Sequence, residues 1–114
     1  MHELSIAMAL IDQVQRIARR ESAARVVTVR IRVGCLSGVD AEALGFCFPL
    51  AARGSLAESA RLEIDAEPMQ WYCIGCRRLF SGPLLAGGGC PACGSPDHHP
   101  AGGSDLTLES LEVA

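Results

Sequence analysis

The chain has 114 residues, 49% of them apolar, and carries a formal charge of −3 with a pI near 5.5. That is enough core-forming material for one domain, or one small domain with an appendage, and it excludes a disordered chain. The acidic balance gives no general attraction to nucleic acid, and no apolar run reaches the roughly 20 residues needed to cross a bilayer.

Leu4, Ala7, Ile11, Val14 and Ala18, with Leu10 and Ile17 alongside, predict an amphipathic helix from about Glu3 to Glu21. Its apolar stretch from Ile6 to Ile11 is short and follows Glu3 rather than a basic cluster. This argues against a signal peptide and makes the cytoplasm the expected compartment. In "RVVTVRIRVG", Val27, Val29, Ile31 and Val33 alternate with Thr28, Arg30 and Arg32, which predicts a strand with one buried face. The turn "GCLSGVD" leads to Asp40 as the cap of a second helix, "AEALGFCFPLAAR", which Gly54 ends and Pro49 should kink or divide. "RLEIDAE" is a short strand. The closing "DLTLESLEV" is another, with a bulge near Glu109–Ser110, because Leu106 and Leu108 are out of phase with Leu111 and Val113.

Between these strands, from Met69 to Gly103, Cys, Gly and Pro dominate and strand or helix periodicity is weak. The expected fold class is therefore α+β: two helices packed on a small three-stranded sheet, with an inserted ribbon. Residues 1–68 plus 104–114 form the base and 69–103 the insert.

The six cysteines divide four and two. "CIGC" and "CPACGS" place Cys73, Cys76, Cys90 and Cys93 as two Cys-x-x-Cys pairs, the arrangement that surrounds one tetrahedral Zn²⁺ with sulfur. Gly75, Ala92 and Gly94 leave room for backbone N–H groups to point at sulfur. Four ligands leave no open position, so a structural zinc staple is the expected role, ahead of a redox pair with reactive thiols. Arg77 and Arg78 are too few for a nucleic-acid surface, and Trp71, Tyr72 and Phe80 are expected to pack on the ribbon. Cys35 and Cys47 are read as small buried hydrophobes.

The terminus "MHE" allows a second metal. Histidine after methionine should preserve Met1, whose α-amine can join the His2 amide, the His2 ring and the Glu3 amide in a square plane of nitrogens. That geometry suits Ni²⁺ or Cu²⁺ and is poor for Zn²⁺. Taken alone, His2 reads more simply as a solvated terminal residue.

"MHELSIA", "VGCLSGV", "LGFCFPLAARGS", "CIGC…CPACGS" and "LTLESLEV", in this order and over essentially the whole chain, resemble the HypA/HybF family of nickel metallochaperones of [NiFe]-hydrogenase maturation. The resemblance implies a non-enzymatic carrier with nickel (Ni²⁺) as cargo at Met1, His2 and Glu3, and structural zinc (Zn²⁺) at Cys73, Cys76, Cys90 and Cys93. It implies the HypB GTPase and the hydrogenase large-subunit precursor as partners, with urease maturation as a second client in some organisms. Nucleic acid and membrane are not expected as partners, and a monomer or a dimer is. The alternative is a zinc-ribbon module that binds protein or nucleic acid and has an inert terminus. One departure stands out: in "SPDHHPAGGSDL", His98, His99 and Pro100 replace an apolar strand of the family. They read as a polar loop, or more sharply as an auxiliary metal or pH-sensing site.

Overall fold

The structure, a computed structural model, describes residues 2–82 and 89–114. Helix α1 spans His2–Arg20 and is followed by β1 (Val26–Gly34), α2 (Ala41–Ala52) and β2 (Arg61–Glu67). Then come β3 (Met69–Cys73), β4 (Leu79–Gly82), β5 (His98–Gly102) and β6 (Leu106–Val113). They form two three-stranded sheets, ordered β2-β1-β6 and β4-β3-β5. The extents of 53 × 28 × 16 Å and radius of gyration of 17.6 Å exceed the roughly 13 Å of a compact chain this long. The molecule is elongated because the second sheet extends the first.

The first sheet carries the core. Ala7, Leu10, Ile11, Val14 and Ala18 of α1 and Leu44, Cys47, Phe48 and Ala52 of α2 are buried with Val26, Val29, Ile31 and Val33 of β1. Parallel pairing of β1 with β2 needs a crossover, which α2 supplies. Against β6, β1 runs antiparallel, and Arg30 pairs with Ser110 while Ile31 pairs with Leu108. Glu109 is the extra residue of the expected bulge, and it lets Leu106, Leu108, Leu111 and Val113 all pack on one core. The outward face is polar, with Arg30–Glu63 at 2.8 Å and Arg32–Glu109 at 2.9 Å bridging neighbouring strands.

Four expectations need correction. A register shift between Val26 and Thr28 makes Val26, not Val27, the buried residue at the start of β1. Pro49 does not divide α2, which runs unbroken to Ala52. The carbonyl that loses its donor belongs to Gly45, and both residues are exposed, so water can satisfy it. Cys35 is exposed, with its Sγ 3.9 Å from Met69 Sδ, whereas Cys47 is buried as expected. His98–Gly102 is a strand rather than a loop. It occupies an edge of its sheet, where a proline costs no ladder bond that matters, and a register shift between Gln70 and Trp71 accommodates Pro100.

The two sheets meet at a backbone clasp. Leu36 N donates to Gly103 O at 2.6 Å, Gly34 N to Asp105 O at 2.8 Å and Cys35 N to Glu67 O at 3.2 Å. A Cβ on Gly34 would lie 2.2 Å from Gly103 O, so this approach requires glycine.

Candidate metal centres

Each cysteine pair sits on a backbone knuckle, and the two knuckles are closed in the same way. Arg77 N donates to Cys73 O at 2.8 Å and Cys73 N to Arg78 O at 2.9 Å. In the second knuckle, Gly94 N donates to Cys90 O at 2.7 Å and Cys90 N to Ser95 O at 3.0 Å. Equivalent positions adopt left-handed backbone, Arg77 at φ 61° and Gly94 at φ 77°. Only the second uses the residue suited to it. The β3–β4 hairpin holds the first knuckle, and Ile74 N donates to Asp97 O at 3.0 Å across to the second.

The four Sγ atoms lie within 4.8 Å of one another, with Cys73–Cys93 at 3.6 Å and Cys76–Cys90 at 3.7 Å. Thiolates about 2.3 Å from a central Zn²⁺ would be about 3.8 Å apart. A disulfide would need about 2.05 Å. The donor set therefore fits a tetrahedral ion, and among the described residues it is the one cluster of three or more metal-ligating groups.

Backbone donors prepare the charge. Cys76 N lies 3.5 Å from Cys73 Sγ and Ala92 N 3.4 Å from Cys90 Sγ. The Cys93 N–H, then that of Ala92, outweigh burial and lower the Cys90 thiol to about 6. Burial first, and then the neighbouring sulfurs, raise Cys76 to about 12. At Cys93 the Ser95 N–H is the largest single influence and pulls downward, but neighbouring sulfurs and burial together leave the thiol raised. Cys90 is thus the readiest of these three to ionise, while Cys76 and Cys93 are held as thiols until a cation among the sulfurs compensates their charge.

The aromatic residues pack on the ribbon. The Trp71 and His98 rings meet edge to face at 4.8 Å, Phe80 approaches His98 at 5.9 Å, and Tyr72 stacks on His99 at 5.2 Å. Adjacent strand residues point to opposite faces, so His98 and His99 do not converge on one ion. Trp71 Nε1 and His98 Nδ1 are buried without a hydrogen-bond partner among the described residues.

At the start of the chain, Met1 lies outside the described residues. His2 begins α1 with its side chain 61% exposed, and its Nδ1 is 3.2 Å from Glu3 Oε2. Glu3 Oε2 also accepts from Asp40 N at 3.4 Å. The His2 ring and then the Asp40 amide hold the Glu3 carboxyl below its ordinary value. Asp40 itself caps α2, its carboxylate accepting from Glu42 N at 3.0 Å and Ala43 N at 3.2 Å. The spacing marked Asp40 as a cap but could not reveal its place beside Glu3, because 37 residues separate them. His2 and Glu3 are not part of the four-cysteine cluster, so the candidate centres are two.

The chain matches, over residues 1–113, the family described as HypA, hydrogenase/urease nickel incorporation metallochaperone. It is similar to the hydrogenase maturation factors HypA of Dechloromonas aromatica, 41% identical with 99% of each chain covered, and Alkalilimnicola ehrlichii, 40% identical with 99% of each covered. Among solved structures it resembles the solution structure of the nickel metallochaperone HypA from Helicobacter pylori, with TM-score 0.68, 27% identity and coverage of 97% and 96%. A second HypA solution structure gives TM-score 0.75 at 27% identity, covering 100% and 97%. No described helix is long and apolar enough to cross a membrane. The chain therefore belongs to the HypA family of hydrogenase maturation factors, non-enzymatic metallochaperones of nickel incorporation.

Proposed function

We propose that the chain carries Ni²⁺ at Met1, His2 and Glu3 and hands it to the large-subunit precursor of a [NiFe]-hydrogenase in the cytoplasm, alongside the HypB GTPase. The observation that carries this reading is the juxtaposition at the start of α1: an exposed His2 ring, with the Glu3 carboxylate 3.2 Å away and itself tied to the Asp40 amide. The α-amine of Met1 and the amides of His2 and Glu3 complete the nitrogen donor set. A carrier needs a labile site, and donors at a helix start are released by fraying one turn. Their protonation drives release as well, because imidazole and amide must be deprotonated to bind.

In the same reading, Zn²⁺ sits among Cys73, Cys76, Cys90 and Cys93 as a structural ion, and residues 69–103 form a ribbon domain on a base of 1–68 and 104–114. When bound, the ion supplies charge neutralisation and four cross-links rather than catalysis. Sulfur separations of 3.6 and 3.7 Å support tetrahedral ligation. An auxiliary metal role for His98 would be separate from His99, whose ring stacks on the other face.

Nickel titration of tag-free protein, beside His2→Ala and a chain with one extra residue before Met1, tests the reading. Both changes should abolish tight nickel binding while zinc remains stoichiometric. Unchanged nickel affinity in both would overturn the terminal site.

A further inference from the structure

Helix α2, "AEALGFCFPLAA", bears no charge after Glu42 and is apolar on every side. Leu44, Cys47, Phe48 and Ala52 are buried in the core, yet on the opposite side Phe46 is 74% and Leu50 46% exposed. Glu42, Phe46 and Leu50 are spaced four apart and so share one stripe along the helix. A helix apolar all round is ordinarily covered all round. A cavity of about 470 Å³ opens at the head of this stripe, lined by Glu3, Asp40, Glu42, Ala43, Phe46 and Cys47. Among the described residues, its lining combines three carboxylates with an exposed aromatic ring and no lysine or arginine.

We propose that this cavity and stripe dock a polypeptide segment that presents apolar side chains beside a lysine or arginine. The ring of Phe46 and the side chain of Leu50 would take the apolar residues, and Glu42 with its neighbours the cation. Phe46 is the anchor because it offers the largest exposed apolar surface at the centre of the patch. The placement deepens the carrier reading and rests on it for its purpose: a segment seated here lies against Glu3, so recognition and cargo share one wall. A second copy of the chain is the competing occupant. Antiparallel pairing of two α2 helices would bring one cation, Arg53, toward three carboxylates and leave most of that charge unmatched.

The test uses the full zinc-loaded chain and a fluorescently labelled amphipathic helical peptide of leucine and lysine, with a leucine–glutamate peptide as control. Anisotropy should show binding of the lysine peptide, with affinity falling about tenfold or more in Phe46→Ser and in the glutamate peptide. Glu42→Lys should weaken it several-fold. His2→Ala should abolish nickel binding and leave peptide affinity within about twofold, so failure of the nickel reading and failure of the docking reading give different results. Absence of lysine-peptide binding would overturn the proposal, as would affinity unchanged by Phe46→Ser. So would equal binding of the glutamate peptide, or a concentration-dependent dimer that Phe46→Ser dissolves.

Discussion

Replacing Gly34 by alanine should loosen the junction between the two sheets at a predictable cost. The added methyl would lie 2.2 Å from Gly103 O and 2.4 Å from its carbonyl carbon. A carbon–oxygen contact needs at least about 3.3 Å, so about 1 Å must be found. It cannot come from a flexible side chain. Gly103 O is held by Leu36 N at 2.6 Å, and Gly34 N by Asp105 O at 2.8 Å. Overpacking of this kind costs about 1–3 kcal/mol, and each hydrogen bond lost adds about 0.5–1.5 kcal/mol. The expected destabilisation is about 2–4 kcal/mol, a fall of about 1–2 M in the urea midpoint of the zinc-loaded protein. Zinc content should stay the same, because the clasp lies outside the knuckles. Gly45→Ala is the matched control: its Cβ meets nothing within 4 Å in an exposed helix, so it should stabilise by about 0.5–1 kcal/mol. A Gly34→Ala protein within about 0.5 kcal/mol of wild type would refute the reading of the junction as a close backbone contact.

Arg77→Gly should stabilise the zinc-bound ribbon by about 1 kcal/mol, because it relieves left-handed backbone that Gly94 already accommodates in the sister knuckle; a higher thermal midpoint checks this. Stripping metal with a chelator should release the cysteine knuckles and shift Trp71 emission to the red, while the helical signal of α1 and α2 changes little. Equal loss of both signals would mean that the base depends on the ribbon. Glu63→Gln should lower stability at neutral pH by removing the carboxylate charge that pairs with Arg30, whose hydrogen bond and charge hold the Glu63 carboxyl below its ordinary value. A depressed carboxylate stabilises fully above its unfolded value and loses that contribution as pH falls through its folded value. The gap between wild type and variant should therefore close below pH 4.5, the ordinary value, as wild-type Glu63 protonates; a gap that widens on acidification would show that the charge pair is not its cause.

Much of this protein could be read locally. The spacing of apolar residues determined α1, the alternation of "VTVRIRV" determined β1, and Asp40 determined where α2 starts, since each depends on contacts within a turn or along one strand. The change of phase between Leu108 and Leu111 even announced the bulge at Glu109. Two Cys-x-x-Cys pairs similarly determined a closed four-sulfur cluster, because thiol chemistry leaves few other uses for that pattern.

What tertiary structure alone decided depends on groups distant in the chain. His98–Gly102 looked like a loop because Pro and Gly disfavour strands locally; edge pairing with β3 and packing against Trp71 and Tyr72 override that preference. Pro49 ends nothing because the carbonyl it deprives of a donor faces water, and solvent access is not written in the spacing. The approach of Asp40 to Glu3, the clasp of Gly34 on Gly103 and the bare stripe of Phe46 and Leu50 all arise when α1, α2 and the ribbon settle on the β1 sheet. A sequence sets which faces are apolar and which atoms can bind metal. Only the packed chain decides which of them are covered, and which are left facing one another beside Glu3.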